Sequence, residues 1–290
     1  MNLKQSYFKH DFSELVACRF SCRTFENRKI EPAALKSISD FISTRSPADH
    51  HSIRLQIIYK KDIKKENLFS IGTYGMIKGV NTFMAGIIEK KHPVAWEELG
   101  YVMQQAVILA TDLELNTCWI GGVFDRKTFG KVLNIHKNEM IPAIIALGYA
   151  ASKKTLRDKM IRWGAKGDQR KPAEKLFFHQ DIEHPLDHEV IPGYRIPLEN
   201  VRLAPSASNK QPWRIIRVSD CFHFYLNRDK VYSKLIPRVD LQRIDMGIAM
   251  FHFEQSAREC GLKFKRIHVD PVLENLPDNY EYIVSYHSRD

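Results

Sequence analysis

Between Trp96 and Leu115 the apolar positions Leu99, Val102, Met103, Ala106, Ala110 and Leu113 recur at helical spacing, which predicts a long amphipathic helix. Upstream, residues 53–59 and 82–88 are apolar, β-branched runs of strand length, separated by the glycine-bearing stretch 72–79, which reads as a loop and connector. Downstream, Cys118-Trp119-Ile120 reads as a strand ending at Gly121-Gly122, Asp125 caps a helix running to Leu133, and residues 141–149 form a buried strand. Two shorter elements open the chain. Residues 15–25 read as a helix ending in a basic turn, and Glu31-Pro32 starts a helix through Phe41, because proline is tolerated in a first helical turn.

From about Leu156 to Pro197 the pattern turns polar and irregular, punctuated by Gly164, Gly167, Pro172, Pro185, Pro192 and Gly193, which places a crossover there. Beyond it the same order of elements returns: a helix over 198–203, strands over 213–218 and 221–226, a helix over 245–260, and strands over 263–269 and 280–286. A shift of 147 positions lays Glu98-Leu99-Gly100 on Asp245-Met246-Gly247, Ala110 on Ala257 and Leu115 on Leu262. A looser match sets residues 46–54 against 206–214, each following a helix and leading into a strand. The repeated order points to an internal duplication. The expected organisation is a first half over 1–175, a linker over 176–197 and a second half over 198–290. Its architecture is α+β, with two pseudo-symmetric lobes, each a mainly antiparallel sheet with packed helices.

Composition narrows the class. With 290 residues and 44% hydrophobic content the chain has enough apolar material for a substantial core. Its 44 Lys and Arg against 34 Asp and Glu leave +10, spread along the sequence, which favours anionic small partners; no nucleic-acid motif accompanies it. Five cysteines without paired CxxC spacing argue against a disulfide framework or a structural zinc site and for a reducing compartment. The start has no signal-peptide core and no apolar run approaches membrane-spanning length, so a cytoplasmic protein is expected. His179, Asp181, Glu183, His184, Asp187, His188 and Glu189 carry metal-ligating groups, but Pro185 breaks their alignment and a solvated polar linker is the reading taken; no metal is expected.

Two segments carry chemistry. Arg19-Phe20-Ser21-Cys22-Arg23 gathers two guanidinium groups and a hydroxyl, donors suited to a terminal phosphate. In Ala204-Pro-Ser-Ala-Ser-Asn-Lys-Gln-Pro-Trp213, small residues permit close backbone approach, and Asn209 and Gln211 offer donors and acceptors to a planar heterocycle. Together with Thr117-Cys-Trp-Ile-Gly-Gly122 and Ile141-Pro-Ala-Ile-Ile-Ala-Leu-Gly-Tyr149, these segments resemble the FMN-dependent nitroreductase family over nearly the whole chain. The order differs from that of ordinary members, since the Pro-Ser-Asn segment follows the Leu-Gly-Tyr strand. It resembles the single-chain subgroup whose two halves imitate the subunits of a homodimer.

The resemblance implies a nitroreductase-like fold with one FMN per chain. Arg19, Ser21 and Arg23 would hold its phosphate, Pro205, Ser206, Ala207 and Asn209 would line the isoalloxazine ring, and Gly121 and Gly122 would approach its edge near N5. Arg170 or Lys171 would add phosphate contacts. A reciprocal site is not expected, because Gly193-Tyr-Arg195 keeps a single arginine and residues 46–52 lack the asparagine and glutamine. The implied reaction passes a hydride from NAD(P)H to the flavin and on to a nitroaromatic, quinone or similar acceptor, with no protein acid or base required and no GxGxxG fingerprint present. The alternative is a non-catalytic FMN-binding or sensor protein. A chain that imitates a dimer is expected to be a monomer, with further self-association left open.

Overall fold

The computed structural model describes residues 8–45, 53–63, 77–92, 94–122, 124–151, 169–187, 193–235 and 237–289. Along these residues the chain runs α1 (Phe12–Cys18), α2 (Pro32–Arg45), β1 (Ile53–Tyr59), β2 (Thr82–Glu89), α3 (Ala95–Asp112), β3 (Asn116–Ile120), α4 (Arg126–Leu133), β4 (Glu139–Met140) and β5 (Ile144–Gly148). It continues with β6 (Phe177–His179), α5 (Arg195–Leu203), β7 (Trp213–Val218), β8 (Cys221–Asn227), α6 (Lys230–Leu235), α7 (Leu241–Glu259), β9 (Lys263–Ile267) and β10 (Tyr280–Arg289). Contacts divide the chain into two compact units, 18–165 and 1–17 with 166–290.

The unit over 18–165 is built on an antiparallel sheet in the order β1-β2-β5-β3, with β4 beside β2. β2 is buried along seven consecutive residues, the mark of a strand covered on both faces. Alternation sorts its side chains. Phe83, Ala85 and Ile87 join Ile144, Ala146, Cys118 and Ile120 in a core closed by Phe129 and Leu133 of α4. On the opposite face Gly86 lies under α3, where a Cβ would come within 2.6 Å of a Leu99 methyl and 2.4 Å of the Met103 sulfur. The missing side chain is what lets α3 settle on the sheet. α4 starts as the sequence predicts, the Asp125 carboxylate accepting the Lys127 and Thr128 N–H groups at 2.9 and 3.3 Å.

The other unit carries a sheet in the order β6-β7-β8-β10-β9, antiparallel except for the β6–β7 pair. Phe222 and Phe224 of β8 and Tyr286 of β10 pack on Phe253 of α7 with ring centroids 4.9 to 5.5 Å apart. Tyr225 points to the other face, among Phe178, Ile216, Leu273 and Leu276. α1 belongs here: Phe12 meets Phe251 edge-on at 5.5 Å, and its N–H is accepted by the Glu259 carboxylate at 3.0 Å.

Two expectations are corrected. The helix predicted over 15–25 ends at Cys18, because Phe20, Cys22 and Phe25 pack into the core and Ser21, Thr24 and Phe25 bridge to neighbouring backbone. The stretch read as a linker contains β6, whose three residues are too few to show alternation, and it runs into α5, which begins at Arg195. α6 was not foreseen at all: Lys-Val-Tyr-Ser-Lys-Leu carries little helical signature. The two sheets share one order, with β1-β2-β5-β3 corresponding to β7-β8-β10-β9, and the 147-position shift carries Asn116–Ile120 onto Lys263–Ile267 end to end.

Candidate functional site

The arginine segment lies in the unit over 18–165, clasped by backbone on three sides. The Cys22 N–H donates to the Thr117 carbonyl at the edge of β3 at 2.9 Å, the Lys78 N–H to the Arg23 carbonyl at 2.9 Å, and the Phe25 N–H to the Lys78 carbonyl at 2.8 Å. The Ala151 N–H closes on the Thr24 carbonyl at 3.0 Å. Phe20 and Cys22 pack into the core, and Arg19, Ser21 and Arg23, which alternate with them along the chain, are half-buried. Both guanidiniums are felt at the neighbouring Cys118 thiol, where their charges oppose the burial that pushes it up to about 11.

Gly79 makes this clasp possible. Its φ is +75°, and a Cβ there would stand 1.9 Å from the Phe25 carbonyl oxygen. The expected loop over 72–79 thus has a local role at 78–79, holding the arginine segment by backbone, while residues 72–76 lie outside the described residues, as do 46–52. Gly121 and Gly122 follow β3 directly, and the Gly121 carbonyl is taken by Arg126. That arginine also donates to the Ile141 and Pro142 carbonyls at 3.1 and 3.0 Å and lies 4.3 Å over the Phe124 ring. Sequence reading passed over Arg126; only its place one residue after a helix cap hinted at a fixed position.

The Pro-Ser-Asn segment lies in the other unit, between α5 and β7. Pro205 is buried, Ser206 and Ala207 are half-buried and Ser208 is exposed. Ser208, Asn209 and Gln211 hold positive φ angles of 49°, 54° and 45°. Each left-handed non-glycine residue costs on the order of 1–3 kcal/mol, and such strain persists only where surrounding bonds impose it. Here they do. The Ser206 hydroxyl accepts the Gln211 N–H at 2.9 Å, and the Asp245 carboxylate accepts the Ala207 N–H at 2.9 and 3.1 Å.

Arg170 and Lys171 bond to this loop from a separate stretch of chain. Arg170 donates to the Asn209 side-chain oxygen and to the Leu203 carbonyl at 3.1 Å. The Lys171 ammonium donates to the Lys210 carbonyl at 2.7 Å, and burial, helped by Arg214 and Lys210, pushes it down to about 8. Gln211, read as a recognition group, is buried, with its amide oxygen accepting the Lys171 N–H at 3.0 Å and its nitrogen donating to Asn209 at 3.3 Å. It shapes the loop. Asp245, in the second turn of α7, was missed as a functional residue, although an acid leading into the apolar run Met246-Gly247-Ile248-Ala249 is an unusual signal.

Among the described residues no group of three or more His, Cys, Asp or Glu is arranged to hold a metal ion. Asp181 and His184 pair with each other at 2.8 Å, while His188 and Glu189 lie outside the described residues. Among the described residues no helix is long and apolar enough to cross a membrane.

Residues 11–257 match the family model described as "Putative TM nitroreductase". Among solved structures, a Thermotoga maritima protein called a putative nitroreductase is 19% identical, with a TM-score of 0.56 over 99% of this chain and 97% of that one. An FMN-dependent nitroreductase of Clostridium difficile is 18% identical over 49% of this chain and 88% of its own, with a TM-score of 0.40. No curated protein matches the chain. With its α+β architecture, the two five-stranded sheets among its described residues and a family match spanning most of its length, the chain belongs to this nitroreductase family.

Proposed function

We propose that the chain is an FMN-dependent oxidoreductase that takes reducing equivalents from NAD(P)H and delivers them to a small acceptor such as a nitroaromatic or a quinone. The observation that carries the reading is the anchoring of the arginine segment: Phe20 and Cys22 pack into the core, and Arg19, Ser21 and Arg23, which alternate with them, are half-buried beside it. Two guanidiniums and a hydroxyl so arranged fit a phosphate, which rewards bidentate, charge-assisted donors. Pro205, Ser206, Ala207 and Asn209 are assigned to the isoalloxazine ring. The strained and pinned backbone there supports that role, since small residues in an unusual conformation suit close approach to a flat ligand. Gly121 and Gly122 are assigned to the flavin edge. Arg170 and Lys171, which the resemblance allots to the phosphate, are assigned here to supporting the ring-side loop, because their donors already serve it.

When bound, FMN supplies the hydride chemistry at N5, with NADH or NADPH as donor. The chain's own residues bind and orient. Arg19 and Arg23 neutralise the phosphate, the Ser21 hydroxyl donates to it, and the loop over 205–209 fixes the ring plane. No side chain is required as acid or base. The shared strand order of the two sheets supports an internal duplication, and with it one FMN per chain and a monomer in solution. The free cysteines suit a reducing, cytoplasmic setting.

The test is a visible spectrum of the FMN-loaded protein after removal of free cofactor, repeated anaerobically with NADPH and then NADH. Bleaching on addition of nucleotide, reversed by a quinone, is the expected result. Retained flavin that no nucleotide bleaches would replace this reading with that of a flavin sensor.

A further inference from the structure

Asp245 is 3% exposed, and burial holds its carboxyl well above the usual carboxylate range, opposed by the bond from the Ala207 N–H. Its neighbours Met246, Ile248 and Ala249 are buried apolar residues, so an apolar side chain at this point would satisfy the helix and the core alone. What the carboxylate adds is a grip on one amide: both oxygens lie within 3.1 Å of the Ala207 nitrogen. Ala207 is the residue directly before the left-handed run at Ser208 and Asn209. The far end of the loop is tied separately, by the Ser206 hydroxyl on the Gln211 N–H. Asp245 therefore fixes the point at which the backbone enters its unusual conformation, from a helix that is itself anchored by Asp240, whose carboxylate accepts the Arg243 N–H at 3.1 Å.

We propose that Asp245 is a positioning residue for the flavin-ring loop: by accepting the Ala207 N–H it holds residues 206–211 in the conformation the ring requires, acting through the loop and not by touching the cofactor. This inference rests on the FMN reading given above. It predicts a chemical signature, because a defect on the ring side weakens FMN and riboflavin alike, whereas a defect on the phosphate side weakens FMN alone.

The experiment titrates wild type, Asp245→Ala, Asp245→Asn and Arg23→Ala with FMN and with riboflavin by fluorescence quenching. It also follows hydrogen exchange of the flavin-free proteins over residues 204–212. Asp245→Ala is expected to lose about tenfold or more in affinity for both flavins, the scale of a donor left without its acceptor. It should also exchange faster over 204–212 with β7 and β8 unchanged. Asp245→Asn keeps an oxygen acceptor and is expected to stay within about threefold of wild type. Arg23→Ala should lose FMN and keep riboflavin. Equal flavin affinities in Asp245→Ala and wild type, or unchanged exchange over 204–212, would overturn the proposal. A wild type that binds neither flavin would overturn the FMN reading and the flavin half of this one, and the exchange data would still decide whether Asp245 pins the loop.

Discussion

Lys171 shows how burial at a single residue links the loop to pH. Its ammonium is pushed down to about 8 from the ordinary 10.5 by burial first and by Arg214, Lys210 and Lys175 after it. A base whose folded-state value lies below its unfolded one contributes stability that is complete above the unfolded value and is lost as pH falls through the folded one. The protein should therefore gain stability between about pH 8 and 10.5 relative to a Lys171→Met variant, measured as the difference in urea midpoints across that range. Arg19, Ser21 and Arg23 can be named from the sequence as candidate phosphate donors, since Arg-x-Ser-x-Arg names them whatever the backbone does. The local backbone cannot be read that way, because only the packing of Phe20, Cys22 and Phe25 into the core ends the helix before them. Gln211 was misjudged for a similar reason: composition shows a polar side chain, and only packing shows that it faces inward.

At the scale of elements, long periodic stretches were read closely. The strand over 53–59 and the strand over 213–218 are found with the predicted ends, and Asp125 caps α4 as expected. Asp125→Ala should cost about 1 kcal/mol in a urea titration, the usual loss for removing an N-cap acceptor. β6 and α6 escaped because three residues cannot display a period of two and six polar-rich residues cannot display a period of 3.6. Gly79 is the small residue against which the arginine segment packs. Gly79→Ala forces a Cβ against the Phe25 carbonyl in a left-handed conformation, and is expected to destabilise the protein by about 1–3 kcal/mol. It should also weaken FMN binding more than riboflavin binding. A Gly79→Ala protein with unchanged melting and unchanged FMN affinity would show that residues 78–79 do not hold the arginine segment.

For the molecule as a whole, the alternation of helix and strand patterns was enough to read an α+β architecture, and the recurrence of element order was visible before any sheet was drawn. Sheet order was not. Which strand lies beside which depends on pairing across distant sequence, and the parallel pair of β6 with β7 sets Phe177 opposite Ile215, far along the chain. The central claim is the proposal that this chain binds FMN, one per chain. The measurement that tests it most directly is a fluorescence titration of the flavin-free protein with FMN, with stoichiometry and affinity fitted together, for wild type and for Arg19→Ala and Arg23→Ala. The account predicts saturation at one FMN per chain and an affinity loss of about 10- to 150-fold in each variant, equivalent to the roughly 1.5–3 kcal/mol of a charge-assisted hydrogen bond. Absence of binding by the wild type, saturation at two FMN per chain, or variants that bind as tightly as wild type would contradict it.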